Sequence, residues 1–389
     1  MLEPTAPDRR LRLVEPDKLP EALAAALAGG PPIAPLPPPG LEREQAMAML
    51  VPEEPVEADA AVVVSTSGST GHPKGVLLSA RAIRTATAAT HERLGGPGDW
   101  VLGLPAHYVA GLMVLARAEV AGTTAARVRS DLADLAQVTD RLGSRRYLSI
   151  VPTQLARALE QPVLLPALTS FDAVLVGGGP LAGPLADAAA RAGVAVVTTY
   201  GMSETCGGCV YDGVPLAKVD VALDPVDGRV SIGGGSLFSG YRLRPDLTAD
   251  AVRNGRLVTA DRGRWADGRL TVLGRLDDVV VSGGMNVDLT EVERAVRSWP
   301  ELGVGDVAVV GVPDVEWGTA VVAVLEGDQP DPEASGRLRA HLRDRLPAYA
   351  APRALLGRRP LPRTSSGKID RRRLVADLIP SDPPTQEPA

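Results

Sequence analysis

The stretch AAVVVSTSGSTGHPKG, residues 60–75, decides the fold. Its first half, AAVVVST (60–66), is a short β-branched run that reads as a buried strand. Glycines follow at Gly68, Gly71 and Gly75, where positive φ and close backbone approach to a ligand are permitted. Ser65, Thr66, Ser67, Ser69 and Thr70 add hydroxyl donors, and Lys74 adds a positive charge. Consecutive backbone N–H groups in such a loop form an anion-binding concavity, for which polyphosphate is the natural guest. The loop is not a Walker A motif, because Lys74 is preceded by Pro73 and followed by Gly75.

Working outward, the pattern from residue 60 is strand, Gly-rich turn, helix. YLSIV (147–151) and DAVLV (172–176) are further strands, and VAVVTTY (194–200) follows the helical stretch PLADAAARAG (184–193). Apolar runs alternating with helices predict an α/β fold with mostly parallel sheets. Upstream, residues 21–40 pass from a short helix into a Pro-rich stretch that reads as an extended surface connection. Downstream, from LTVLGRLDD (270–278), strands VVVSGG, VAVVGV and AVVAVL interleave with helices around 290–299 and 333–346, which is a small α+β unit. The expected division is a large N-terminal α/β domain over 1–276, a small mobile α+β C-terminal domain over 277–380, and a disordered tail over 381–389.

Composition bounds the function. The chain has 389 residues, so at about 150 per domain two or three domains are expected. Its net charge of −6 argues against nucleic acid as the main partner, since phosphate contacts need a basic face. Two cysteines exclude a disulfide framework, and CGGC (206–209) has no second ligand pair that would complete a zinc site. A redox role for Cys206 and Cys209 stays open. The N-terminus has no apolar signal region and no stretch approaches a membrane span, so a cytoplasmic enzyme without membrane insertion is expected.

Further segments follow the glycine-rich loop in order: LPAHYVAGL (104–112), VLVGGGPL (174–181), YGMSET (200–205), TADRGRW (259–265), GRLDDVVVSGGMNVDLTEVE (274–293) and PRTSSGKIDRRRL (362–374). The ordered set resembles the adenylate-forming (AMP-forming acyl/aryl-CoA synthetase) superfamily, with Ala260 in place of a usual glycine. The resemblance implies ATP, Mg²⁺ and CoA, and a two-step reaction through an acyl-adenylate with the C-terminal domain rotating between steps. Ser65, Ser67, Gly68, Ser69, Thr70, Gly71 and Lys74 would hold phosphates. Tyr200 would stack on adenine, with Gly178, Gly179 and Gly201 letting backbone lie against the nucleotide. Thr66, Ser203, Glu204 and Lys368 would be catalytic, Glu204 as the Mg²⁺ carboxylate and Lys368 as a mobile charge on developing negative oxygens. Asp261 and Arg275 would bind ribose or phosphate, Asp277 would be the hinge, and Gly283 and Gly284 would line the pantetheine path. Taken singly, Glu204, the Asp261–Arg262 pair and Lys368 also read as ordinary solvated charges.

Within the superfamily, the compact length and the strings PAHYVAGLMVLARA (105–118) and YGMSETCGGCVYDGVPL (200–216) are most similar to the o-succinylbenzoate–CoA ligase family of menaquinone biosynthesis. That acid carries a second carboxylate, for which Arg117 is the candidate cation; Arg117 is equally readable as a helix-surface arginine. His107 would gate the pocket or pair with substrate, Gly207 and Gly208 would leave room for the ring, and Thr153 and Gln154 are candidates for the pocket wall. Another aryl or fatty acid is the nearest alternative substrate, and a homodimer is a possible assembly. From a different class, GGGPLA (177–182) also fits the dinucleotide fingerprint of a nicotinamide-dependent oxidoreductase, though VAVVTTY ends without the acidic residue such a site needs.

Overall fold

The computed structural model describes residues 9–57, 59–67, 73–302, 306–364 and 369–379. Gly68, Ser69, Thr70, Gly71, Lys368 and the 381–389 tail lie outside the described residues, as does the Ser67 side chain. The chain divides into two compact units: residues 1–222, 230–259 and 265–271, and residues 223–229, 260–264 and 272–389.

Among the described residues the first unit holds two α/β sheets and most of a third sheet, formed by Val219–Leu223, Arg229–Gly234, Val252–Arg253, Arg256–Ala266 and Arg269–Arg275. In the first, β1 (Arg12–Val14), β2 (Ile33–Pro35) and β3 (Ala60–Ser67) run parallel, β4 (Pro73–Ser79) pairs antiparallel with β3, and the two-residue strand Gly240–Tyr241 pairs antiparallel with β4 at the edge. Between β1 and β2 lies α1 (Leu19–Leu27), started by Pro20 in its first turn, and between β2 and β3 lies α2 (Leu41–Leu50). Helix α1 buries Leu19, Ala22, Leu23, Ala26 and Leu27, the spacing of one helical face. The Pro-rich stretch is therefore not a surface connection. Ile33 and Ala34 are fully buried in β2, between two parallel neighbours that take up its backbone groups. A second correction concerns the glycine-rich loop, which leads into the antiparallel strand β4 before any helix. PKGVLLS buries its last five residues on both faces, which a strand in mid-sheet allows, and Ser79 then caps helix α3 (Ala80–Arg93) by accepting from Ala82 N at 3.1 Å.

The second sheet of this unit contains β5 (Asp99–Leu102), β6 (Ala126–Arg127), β7 (Arg146–Ile150), β8 (Ala173–Val176) and β9 (Val196–Met202), all parallel, followed by antiparallel β10 (Gly207–Tyr211) and β11 (Val214–Pro215). The predicted helix appears as Gly183–Arg191, crossing from β8 to β9. Helix α4 (Val109–Ala121) is buried along Gly111–Ala118 and packs on α3, β5 and β10.

The second unit is α+β, as expected from its sequence. Strands Val279–Ser282 and Met285–Asp288 form a hairpin whose turn, Gly283 and Gly284, has φ of +57° and +77°. Both positions need the left-handed region, which is why both are glycine. Asp288 caps the helix Leu289–Arg297 by accepting from Thr290 N and Glu291 N. That helix buries Val292 and Val296 against the sheet of Val307–Asp314, Gly318–Glu326 and Ala354–Arg358. Among the described residues no helix is long and apolar enough to cross a membrane.

Candidate active site

The β3–β4 register sets Ser65 opposite Gly75 and Thr66 opposite Lys74. Thr66 Oγ1 donates to the Lys74 carbonyl at 3.4 Å, so the two arms of the hairpin stay joined up to the glycine-rich tip. Pairing of Gly240–Tyr241 with Val76–Leu77 then brings Tyr241 beside Lys74, whose Nζ lies 5.1 Å from the Tyr241 ring centroid. The Tyr241 hydroxyl donates to Glu204 Oε1 at 2.7 Å. Burial and the Glu204 carboxylate both push the Tyr241 phenol above its usual range, so it acts as a donor. Glu204 sits on the short turn Ser203–Thr205, and its carbonyl accepts from Phe238 N at 2.8 Å. Lys74, Tyr241 and Glu204 thus form one chain of contacts in the first unit.

Tyr241 and its neighbour Arg242 were not singled out from the sequence. The one available signal was an aromatic–basic pair directly after Gly240, in a chain with only 6 tyrosines. Arg242 is buried and donates to the carbonyls of Leu50, Val51, Glu54 and Pro55 at 2.7–2.9 Å and to Glu57 Oε2 at 3.1 Å. Its backbone N–H donates to Gly75 O at 2.8 Å, tying Tyr241 to the hairpin.

Tyr200 and Gly201 lie on β9, facing β10. A Cβ at Gly201 would meet Gly207 O at 2.0 Å, so the two strands close on each other because neither has a side chain there. Gly208 approaches Thr199 and Tyr211 in the same way. Gly178 has φ +78°, whereas a Cβ at Gly179 would meet nothing within 4 Å. Cys206 and Cys209 are free and buried, and burial pushes both thiols up to about 12. They are protonated thiols packed in the core.

Of the predicted acyl-pocket residues, helix α4 carries Arg117. Met113 packs toward Gly207, while Arg117, one turn further, is 3% exposed and not a helix-surface residue. Its guanidinium lies 4.8 Å from the Trp100 ring centroid and donates to the Tyr211 hydroxyl at 3.3 Å. Its Nε makes no hydrogen bond, and no acidic residue pairs with it among the described residues. Trp100 donates to His91 Nε2 at 3.3 Å; burial, and then Arg117, push the His91 ring down to about 4, so it is neutral. His107 is held by Tyr108, their ring centroids 4.1 Å apart and tilted at 51°, and the Tyr108 hydroxyl donates to Glu42 at 2.5 Å. Burial lowers the His107 pKa despite Glu42, and its Nε2 makes no hydrogen bond. His107 lies just before α4, and Arg117 lies about two turns into it. Gln154 is not a free pocket wall either: it accepts from Val151 N and donates to the carbonyls of Gly103 and Ser130. Thr153 is half-buried on the same helix.

In the second unit, Arg275 forks onto Asp277, at 2.7 and 2.8 Å, and reaches Asp261 at 3.4 Å. This pair holds the Asp277 carboxyl below its usual range. Asp261 is buried, and Arg262 pairs with Asp288, so Asp261–Arg262 is not a surface ion pair. A Cβ at Gly283 would strike the Trp317 ring at 2.7 Å, whereas Gly284 is open.

A glycine-walled strand pair, a lysine and a partly exposed carboxylate lie within one α/β unit, an arrangement suited to an anionic ligand with a metal ion. The profile of the AMP-binding enzyme family matches residues 11–241, and that of the AMP-binding enzyme C-terminal domain matches residues 291–368. The chain belongs to the AMP-binding enzyme family. It is 45% identical to a protein of Mycobacterium tuberculosis named probable 2-succinylbenzoate–CoA ligase, over 86% of this chain and 88% of that protein. A 2-succinylbenzoate–CoA ligase of Geobacillus kaustophilus is 32% identical, over 83% and 70% of the two chains. Among solved structures, o-succinylbenzoate CoA synthetase from Bacillus subtilis, in complex with its acyl-adenylate intermediate, superposes with a TM-score of 0.74 at 25% identity, covering 94% of this chain and 82% of that one. Family membership removes the nicotinamide-dependent oxidoreductase.

Proposed function

We propose that the chain is an AMP-forming acid–thiol ligase that joins o-succinylbenzoate to CoA through an acyl-adenylate, a step of menaquinone biosynthesis. The observation that carries this is the Lys74–Tyr241–Glu204 contact chain at the mouth of the β3–β4 hairpin, in a chain whose relatives bear that name. A carboxylate is a poor electrophile because its charge repels nucleophiles. In the first step its oxygen attacks the α-phosphorus of ATP and pyrophosphate leaves. In the second the CoA thiol attacks the acyl carbon, loses its proton, and AMP leaves.

The donor set fits magnesium: Glu204 keeps one carboxylate oxygen beyond the bond from Tyr241, and Mg²⁺ takes one or two carboxylates beside phosphate oxygens. When bound, that ion supplies neutralising charge to the phosphates. Lys74 and the hydroxyls of Ser65, Thr66, Ser67, Ser69, Thr70 and Ser203 hold the phosphate oxygens, with Gly68 and Gly71 opening the loop backbone to them. Tyr200 stacks on adenine against Gly178, Gly179 and Gly201. Asp261 and Arg275 hold ribose oxygens, and Lys368 meets the charge that develops in adenylation. The division at 276/277 with Asp277 as hinge, and Gly283–Gly284 as the pantetheine path, complete the scheme. His107, Gly207 and Gly208 shape the acyl site, and Arg117 takes the second carboxylate. Its buried guanidinium without an acid supports that role, since a buried charge calls for a partner. A cytoplasmic homodimer is part of the same proposal.

The test is pyrophosphate release with Mg·ATP and CoA across o-succinylbenzoate, benzoate, a medium-chain fatty acid and acetate. Turnover confined to o-succinylbenzoate is expected, with Arg117→Met raising its KM about ten-fold and leaving that of ATP unchanged. Turnover with a monocarboxylate instead would remove the second-carboxylate assignment and leave the two-step mechanism.

A further inference from the structure

We propose that Tyr241 is a positioning residue for adenylation, orienting the Glu204 carboxylate toward Mg·ATP with its hydroxyl and holding Lys74 apart from that carboxylate with its ring; this rests on the ligase function proposed above.

Three features make Tyr241 suited to the task. Its backbone is pinned, paired with Val76 in β4 and donating its N–H to Thr248 Oγ1 at 2.9 Å. Its ring is fixed by an edge contact with Phe238, centroids 4.9 Å apart at 65°. The segment around it grips Glu204 at two points, since Phe238 N donates to the Glu204 carbonyl at 2.8 Å and the Tyr241 hydroxyl to Oε1 at 2.7 Å. A glutamate on a single turn otherwise has free side-chain torsions. A charge-assisted bond to one oxygen fixes the carboxylate plane and leaves the other oxygen for a cation.

The ring has a separate consequence. A lysine and a glutamate lining one phosphate site would ordinarily neutralise each other before the nucleotide arrives. Here Nζ of Lys74 sits 5.1 Å from the centroid of the Tyr241 ring, a cation–π arrangement, while Glu204 takes the hydroxyl end. Among the described residues the two make no ion pair with each other. Lys74 is left to meet phosphate, and Glu204 to meet the metal that accompanies it.

Tyr241→Phe removes only the hydroxyl and keeps both ring contacts. ATP binding is measured by calorimetry without acid substrate, as a function of Mg²⁺ and also without Mg²⁺. The expected result is a Mg²⁺ midpoint about ten-fold higher, with Mg²⁺-free ATP binding unchanged. ATP–pyrophosphate exchange with o-succinylbenzoate should slow, while thioester formation from preformed acyl-adenylate stays within two-fold. A Mg²⁺ midpoint within two-fold of the parent would overturn the proposal. So would equal weakening with and without Mg²⁺, or loss of folding, since either assigns the residue to structure alone. Absence of exchange in the parent chain would instead overturn the ligase function.

Discussion

Replacing Arg242 with methionine is the sharpest test of how the site is held. Methionine keeps most of the aliphatic stem and removes the guanidinium. Four backbone carbonyls, of Leu50, Val51, Glu54 and Pro55, then lose a donor, and Glu57 loses its ion pair. Each net hydrogen bond is worth about 1 kcal/mol, and a buried acceptor left unpaired costs more. The turn at 51–57 opens to water on one side, where Glu57 is half-exposed, and recovers part of this. The balance is a loss of about 3–5 kcal/mol. At roughly 2–4 °C per kcal/mol for a unit of this size, the first unit's melting transition should fall by on the order of 10 °C. The backbone N–H of residue 242 still holds Gly75 at 2.8 Å, so the loss arises from the side chain alone and reaches the site through the segment that carries Tyr241 beside Lys74. Calorimetric scans with and without Mg·ATP would measure both effects, and ligand stabilisation should shrink along with the midpoint. A fall of less than 3 °C would refute the reasoning, since it would show that the five acceptors find water without cost.

Gly201→Ala places a Cβ 2.0 Å from the Gly207 carbonyl and must push β9 from β10, costing about 1–3 kcal/mol; Gly179→Ala meets nothing and should be neutral in the same chemical denaturation series. His91, held neutral by burial with its pKa at about 4, binds fewer protons folded than unfolded below the ordinary value of 6.5. Stability is therefore complete above pH 6.5 and falls as pH drops toward 4, by at most about 1.4 kcal/mol per unit from this group. Urea midpoints at pH 7 and 5 should show a shallower fall in His91→Gln, and identical slopes would exclude the assignment. Lys368→Ala should abolish ATP–pyrophosphate exchange and largely spare thioester formation from preformed acyl-adenylate; equal loss of both half-reactions would contradict its role in adenylation.

Much of the architecture was readable along the chain, because the signals are local. The β-branched runs at 60–66, 147–151 and 172–176 become β3, β7 and β8, and the alanine-rich 184–193 stretch becomes the helix Gly183–Arg191. The ordered motifs likewise pointed to the family that the profile matches then showed. Other features depended on partners distant in sequence. The Pro-rich stretch around Ile33 suggested a surface path, yet β1 and β3 enclose it as a buried parallel strand. Arg117 looked like a surface residue or a pocket cation, because a helix apolar on nearly every side does not announce which face meets Trp100 and Tyr211. A two-residue strand has no periodicity to detect, so nothing local marked Gly240–Tyr241 as the edge of the first sheet. Local propensity and motif order thus specified the elements and the family. The contact of Lys74 with Tyr241 and of Tyr241 with Glu204 arose only when strand pairing and side-chain packing, which act between residues far apart in the chain, closed the sheet around them.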